Sequence, residues 1–429
     1  MASDRFDLVF YGVTGFTGSL LLEYLIKSEY ANVTFAVAGR NVDRIRSTLV
    51  AVGERCGEDL TSTKIIVADS GNPASLAEMA KQAKVIINAV GPYRLHGEAV
   101  VKAAIENGAH HIDIAGEPAW LEKMEMKFNQ LAREKKVFVV GACGFDSLPC
   151  DLGIHFLKRK FKGDLCYVET MIQIHYGKAG YSISSTTYDT LIHGLSEERI
   201  DELRRVRNAI MPEKMPLSEF KPPKRSTVWY SPETNGYATT FYGADKSIVT
   251  RSQYFDFERN QRRPVRVETY FRGQNCFWAN AQPLWLGAFR NLVQYSWTRE
   301  FMKKHPELFS FGMFSKGGPS REQLNQTSFT YWFFGQGWNE KLPVDEEHSS
   351  PPDVRVVTRC VGPDPAYLST AACVVSSAVT LLEDGDLLPK PGGVFTTASA
   401  FGNTRIYERL AAFGITFDVV KDGSLKAHL

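Results

Sequence analysis

Over the first 145 residues, short apolar runs rich in Val, Ile and Ala alternate with amphipathic stretches at the rhythm of strand–helix–strand units. Six strands are expected, at 7–11, 34–38, 64–68, 85–88, 111–114 and 137–140. Their nearly continuous apolar character suits a parallel sheet covered on both faces. The intervening helices carry recognisable ends: Asn72-Pro73 as cap and first turn, Asn107-Gly108 as a stop, and Pro118 opening a segment that runs towards Lys136. This is an α/β pattern, a doubly wound parallel sheet.

From about Pro149 the pattern shifts to longer strand-like segments, 167–175, 265–271, 328–334 and 354–361. The last two, joined by the polar, Pro-containing stretch from Asn339 to Asp353, read as an antiparallel hairpin. Pro212, Pro216, Pro222, Pro223 and Pro232 mark an irregular, exposed connection after a helix that ends near Ala209. A second, mixed α+β domain is therefore expected. The expected partition is 1–147 for a nucleotide-binding domain, 148–394 for substrate and dimer contacts, and 395–429 for a segment that returns to the first domain.

Composition narrows the classes of function. The 429 residues are 44% hydrophobic, ample for two or three packed units. With 50 Lys+Arg against 48 Asp+Glu there is no basic field for nucleic acid. Seven cysteines without a CxxC pair or Cys/His cluster point to a reducing compartment and to no metal site. The opening MASDRFDLVFYG carries Asp4 and Asp7, and its apolar run is short, so secretion is not expected. The longest uncharged stretches, 275–289 and 366–382, are too short and too polar to span a bilayer. The expected location is intracellular, cytoplasmic or at a lipid droplet or membrane surface.

The candidate chemistry begins at Gly12-Val13-Thr14-Gly15-Phe16-Thr17-Gly18, between the first strand and the apolar helical run LLLEYLI. Glycines there permit a tight turn and close backbone approach to a pyrophosphate, while the helix amino terminus offers free N–H groups and a positive dipole end. The domain is thus Rossmann-like. The second strand ends in Ala38-Gly39-Arg40-Asn41, with no acid before Asp43. A carboxylate at this point selects NAD through the 2′-hydroxyl, whereas an arginine accepts the 2′-phosphate of NADP. Arg40 therefore favours NADP over NAD. Asp69 and Ser70 end the third strand on the adenine side. Asn88, Ala89, Val90, Gly91 and Pro92 follow the fourth, where rigid backbone can lie against ribose, and Tyr93 reads either as a nicotinamide neighbour or as core.

Hydride transfer also needs a proton donor or acceptor within hydrogen-bond reach. Candidates at the carboxyl ends of strands are Tyr93, Asp113, Glu117, Asp146 and Ser147. Asp146 and Ser147 read equally as helix caps, and Asp113 as a loop anchor. Farther along, Trp278, Trp285, Phe289, Tyr295, Trp297, Phe301, Phe309 and Phe311 are interleaved with Arg290, Arg299, Lys303 and Lys304. Helical spacing after Pro283 sets Leu284, Trp285, Phe289, Leu292 and Ser296 near one face, apolar with basic flanks. That face suits a lipid interface, a dimer contact or a domain core, with Trp285 and Phe289 as the expected lipid contacts.

Together VFYGVTGFTG, AVAGR, VIINAVGPYRLHGEAVVKA, HHIDIAGE, GACGFDSLPCDLG and GGVFTTASAFG resemble the saccharopine dehydrogenase-like oxidoreductases, a branch related to trans-acting enoyl reductases of bacterial lipid synthesis. The resemblance implies a nucleotide-binding domain, a second domain for substrate or dimer contacts, oxidoreductase activity, and relatives associated with lipid droplets and membranes. His96 stands where relatives more often carry an aromatic, so it is given no catalytic role. A multiply carboxylated substrate such as saccharopine calls for clustered arginines. Arg199, Arg204, Arg205 and Arg207 read instead as a solvated helix face, so another substrate is expected. The reading is an NADP-dependent oxidoreductase of a lipid-like unsaturated or carbonyl compound. Its alternative is a non-catalytic nucleotide-binding scaffold at a lipid droplet or membrane surface.

Overall fold

The computed structural model describes residues 5–196 and 200–424, so Asp4 and Arg199 lie outside the described residues. The chain divides into two units, the first built from 1–148, 205–210 and 366–413, the second from 149–204, 211–365 and 414–429. The first unit thus takes in the chain from Ala366, ahead of position 395, and the segment from Gly414 belongs to the second unit rather than the first.

In chain order the first unit contains β1 (Phe6–Tyr11), α1 (Phe16–Ile26), β2 (Phe35–Gly39), α2 (Val42–Cys56), β3 (Ile65–Val67), α3 (Pro73–Lys81), β4 (Ala83–Asn88), α4 (Tyr93–Glu106), β5 (His110–Asp113), α5 (Pro118–Lys135) and β6 (Phe138–Val140). The second unit opens with α6 (Leu148–Lys160), β7 (Asp164–His175), β8 (Ile183–Ser184), α7 (Ser185–Ser196) and α8 (Ile200–Ile210), whose last turn counts with the first unit. It continues through β9 (Val228–Ser231), β10 (Gly236–Thr240), α9 (Asp245–Asn260), β11 (Arg266–Arg272), α10 (Cys276–Leu292), α11 (Ser296–Lys304), α12 (Pro306–Phe309), β12 (Phe314–Ser315), α13 (Arg321–Gln326), β13 (Ser328–Trp338) and β14 (Val354–Pro363). The chain then returns to the first unit with α14 (Thr370–Glu383), β15 (Gly393–Phe395), α15 (Thr397–Phe401) and α16 (Ile406–Ala412), and ends with β16 (Thr416–Ser424).

All six strands expected in the first unit form, and β15 adds a seventh beside β6, giving the order β15-β6-β5-β4-β1-β2-β3 with every pairing parallel. Local chemistry explains the helix ends. Asn41 Oδ1 accepts from Arg44 N at 2.9 Å to cap α2, and Asn72 Oδ1 accepts from Ala74 N and Ser75 N to cap α3 ahead of Pro73. Gly57 and Gly108 follow α2 and α4 with φ of 74° and 71°. On one face of the sheet, Val9, Ala36, Ala38, Ile66 and Ile86 pack with Leu76, Met79, Val100 and Ala104. The helical stretch Pro365–Glu383, of which α14 is the larger part, is by length and composition apolar enough to cross a membrane, more so than its uncharged core 366–382 suggested, but 89% of it is buried inside the protein, as in a core helix.

The sheet of the second unit runs β16-β14-β13-β7-β11-β10-β9 and is mixed: β11 pairs with β7 in parallel and the remaining pairings are antiparallel. The expected hairpin is β13–β14. A Cβ on Gly153 of α6 would stand 2.0 Å from Phe333 of β13, so this glycine lets the helix lie against the sheet. Apart from the sheet, Tyr188, Ile192, Phe289, Val293, Met302 and Phe314 form a separate core joining α7, α10, α11 and β12. Helix α10 starts at Cys276, capped by Asn275, and runs through Pro283 rather than beginning after it.

Candidate functional site

In the first unit the strand order reverses at β1, which has β2 and β3 on one side and β4 on the other. The crevice beyond the carboxyl ends of β1 and β4 is the position at which open α/β sheets bind ligands. The glycine loop follows β1 and the Asn88–Tyr93 segment follows β4, so the two motifs meet there. Their contact is direct: a Cβ on Gly12, which has φ of 97°, would stand 2.7 Å from Val90 Cγ2.

The three glycines have different tasks. A Cβ on Gly18 would fall 2.2 Å from Gly12 O, so Gly18 lets the first turn of α1 close onto the loop. Gly15 is exposed, and a Cβ there would find only Gly12 O, at 3.5 Å. It is also the amino-terminal cap residue of α1 and contributes no side-chain cap. The N–H groups at the start of α1, flanked by Thr14, Phe16 and Thr17, are left for an anion. Phe16 stacks edge-on against Tyr367, with centroids 4.8 Å apart.

At the end of β2, Arg40 is exposed, and Asn41 turns its side chain back to cap α2. Asp69 Oδ1 accepts from Gly71 N at 2.8 Å and Ser75 Oγ meets Asp69 N, so the carboxylate shapes the loop after β3. Ser70 Oγ lies 3.1 Å from His96 Nδ1. His96 thus belongs to the rim of the crevice, a placement that its position in the first turn of α4 could have suggested.

Behind the rim lies a buried polar frame. Asn88 Oδ1 accepts from Val90 N, which turns its amide nitrogen towards His111 Nε2 at 3.4 Å. His111 then carries its proton on Nδ1, 3.7 Å from Asp113 Oδ2. Burial lowers the His111 pKa to about 3, so the ring is neutral. Asp113 Oδ1 accepts from Ala115 N and Ala142 N, tying the loop after β5 to the loop after β6. Glu117, buried, accepts from Tyr93 N at 2.8 Å, Arg94 N at 3.2 Å and Arg94 Nε at 3.1 Å. It caps α4 from the neighbouring loop. Tyr93 is buried, and its hydroxyl donates to Asn88 O at 2.8 Å and accepts from Ile114 N at 3.3 Å. Burial, then the Asp113 carboxylate, raises its pKa well above the ordinary tyrosine value. Of the five candidates for proton transfer, these three are knitted into the frame.

The remaining two sit in the 141–147 loop. Asp146 is exposed, and its Oδ2 would stand 3.1 Å from a Cβ on Gly116. Ser147 is buried, with an Oγ that has no hydrogen-bond partner. The loop is held by Phe145 N donating to Thr370 Oγ1 at the start of α14. Cys143 is buried, and burial pushes its thiol pKa well up, away from nucleophilic use. Among the arginines read as a solvated face, Arg207 instead grips the buried carboxylate of Glu122 with Nε and Nη2 at 3.0–3.1 Å. No group of three or more His, Cys, Asp or Glu suited to a metal occurs among the described residues.

In the second unit the aromatic region sorts differently from its helical reading. Phe289 is buried in the α7–α10–α11 core, and Trp285 Nε1 donates to Phe309 O at 2.7 Å, so both face inward rather than towards a lipid phase.

Comparison with known proteins gives the family, the cofactor domain and the fold. Residues 8–140 match the saccharopine dehydrogenase NADP binding domain. The chain is 50% identical to a lipid droplet localized protein of Caenorhabditis elegans over 98% of this chain and 100% of that one. It is 38% identical to a human saccharopine dehydrogenase-like oxidoreductase over 99% and 100%. A solved apo saccharopine dehydrogenase (L-Glu forming) from Saccharomyces cerevisiae shares the fold, with a TM-score of 0.55, 14% identity, and coverage of 97% of this chain and 99% of that one.

Proposed function

The chain belongs to the saccharopine dehydrogenase-like oxidoreductases, and from that premise we propose that it reduces an apolar, lipid-like unsaturated or carbonyl substrate with NADPH at a lipid surface. The observation that carries the cofactor half is the pairing of an uncapped, glycine-lined start of α1 with an exposed arginine at the end of β2. In this reading the α1 N–H groups and Thr14 to Gly18 hold the diphosphate, and Arg40 neutralises the 2′-phosphate. Asp69, Ser70 and His96 border the adenosine side, and Asn88 to Pro92 support the ribose. The bound cofactor supplies a hydride. Asp146, exposed on the loop next to Gly116, delivers or relays the proton, while Tyr93, Asp113 and Glu117 hold the two loops in register. The apolar substrate follows from the name of the nematode relative, a lipid droplet localized protein, which supports a lipid droplet location.

The test is NADPH consumption by purified protein offered detergent-dispersed long-chain 2-enoyl thioesters and long-chain ketones. Turnover that falls about a hundredfold in Asp146→Asn with unchanged NADPH affinity supports the assignment. Turnover unaffected by Asp146→Asn removes this residue from the chemistry. A second reading, a nucleotide-binding scaffold without catalysis, draws on the commitment of Tyr93, Asp113 and Glu117 to fold-internal hydrogen bonds. Tight NADPH binding with no turnover on either substrate class selects it.

A further inference from the structure

Helix α10 is apolar on two sides. One side, Ala279, Phe289 and the adjoining Val293, is buried. On the other, Phe277, Ala281, Leu284, Ala288 and Leu292 recur at helical spacing, and Phe277 and Leu284 are 69% and 76% exposed. An amphipathic surface helix would carry polar residues on that side. The exposure continues beyond α10: Tyr295, Trp297 (73%), Phe301, Leu308 and Phe311 (76%) all lie open in the segment through α11 and α12. The inner faces of these helices share the Phe289–Met302 core, so the exposed groups stand on one rigid support. Within 275–317 the charged side chains are Arg290, Arg299, Lys303, Lys304 and Lys316 against Glu300 and Glu307.

We propose that this outer face of α10–α12 is the surface by which the protein docks on a phospholipid-coated lipid surface, with the aromatic and leucine side chains in the acyl boundary and the cations at the headgroups. The proposal rests on the lipid-surface reading above and names the residues that perform it. On α11 the exposed Lys304 lies at helical spacing from Trp297 and Phe301, and Lys316 is exposed just beyond α12, whereas Arg299 donates to Val293 O and Gln294 O; an apolar, aromatic face with such cations matches the demands of an interface with anionic lipid. A two-fold contact with a second copy would set the same excess of cations against itself. Since Trp285 and Phe289 face the core, the contact belongs to their outward neighbours.

The experiment is flotation of the full chain with triolein droplets coated with phosphatidylcholine, or with phosphatidylcholine and phosphatidylserine in equal parts. Three proteins are compared: wild type, Leu284→Ser/Trp297→Ser/Phe301→Ser, and Lys304→Glu/Lys316→Glu. The expected result is wild-type binding that is stronger on the serine-containing droplets. The triple variant should lose about a hundredfold or more in partitioning with an unchanged melting temperature, and the charge-reversed pair should lose the preference for phosphatidylserine. Wild-type binding retained in the triple variant overturns this face while leaving the lipid reading intact. No wild-type binding to either droplet overturns the lipid reading itself. A wild-type dimer that the triple variant dissociates, without droplet binding, assigns the face to a second copy and overturns the proposal.

Discussion

At the scale of single residues, the site separates groups that touch a ligand from groups that hold shape. Arg40 stands in solvent beside the crevice, so its removal should leave the fold unchanged. Arg40→Ala is expected to raise the NADPH dissociation constant about 10- to 100-fold, with NADH binding little altered, in a fluorescence titration. Glu117 is the opposite case: buried, it accepts two backbone N–H groups and the Arg94 guanidinium. Glu117→Ala should lower unfolding free energy by about 3 kcal/mol in urea melts. A stable Glu117→Ala protein with lost turnover would instead make this residue catalytic. The residue types at the crevice were legible because glycine spacing and the missing acid after β2 are written in the sequence. The three-way partnership of Glu117, Tyr93 and Arg94 was not, since it joins positions more than 20 residues apart through tertiary contact.

Elements were read well where local rules decide them. Asn-Pro and Asn-Gly signals set the ends of α3 and α4, and the alternation of strands and helices gave the parallel sheet. Helix α10 shows where such rules stop: its apolar residues surround the axis, so periodicity identifies a helix but does not choose the buried side. The core decides, through Tyr188, Met302 and Phe314 packing on Phe289. Phe289→Ala is expected to cost about 3–5 kcal/mol in chemical denaturation, whereas Leu284→Ser should change stability by less than about 1 kcal/mol. The reverse order would mean that α10 is turned about its axis. The seventh strand, β15, escaped detection because three residues between glycines and a threonine carry too little pattern; its register comes from β6 and from Asn129 Oδ1 accepting from Val394 N.

On the scale of the whole molecule, the first unit gathers three separate stretches of chain, an arrangement that hydrophobic pattern alone does not encode. Its acid response should follow from burial. His110 and His111 have pKa values lowered to about 4 and about 3 by burial, against 6.5 when exposed. Between these values the unfolded chain binds more protons than the folded one, so stability is full above pH 6.5 and falls as pH drops towards 4. Each histidine should cost about 2 kcal/mol between pH 6.5 and 5, and His111→Gln should flatten the pH dependence of the melting temperature. Asp384 adds a loss at still lower pH. Burial raises its carboxyl, but hydrogen bonds from Arg409 and Arg405 outweigh that and hold it well below the carboxylate range. The stabilisation is therefore present above the ordinary carboxylate pKa and disappears as pH falls through the lowered one.

The central claim is that the glycine loop and Arg40 form a working NADP site. Titrating the purified chain with NADPH and NADH, alongside Arg40→Ala and Gly15→Asp, tests it most directly. The account predicts saturable NADPH binding tighter than NADH binding, with the preference lost in Arg40→Ala and both cofactors lost in folded Gly15→Asp, whose carboxylate would meet the diphosphate at the start of α1. Folded wild-type protein that binds neither cofactor, or binds both equally with and without Arg40, would contradict it.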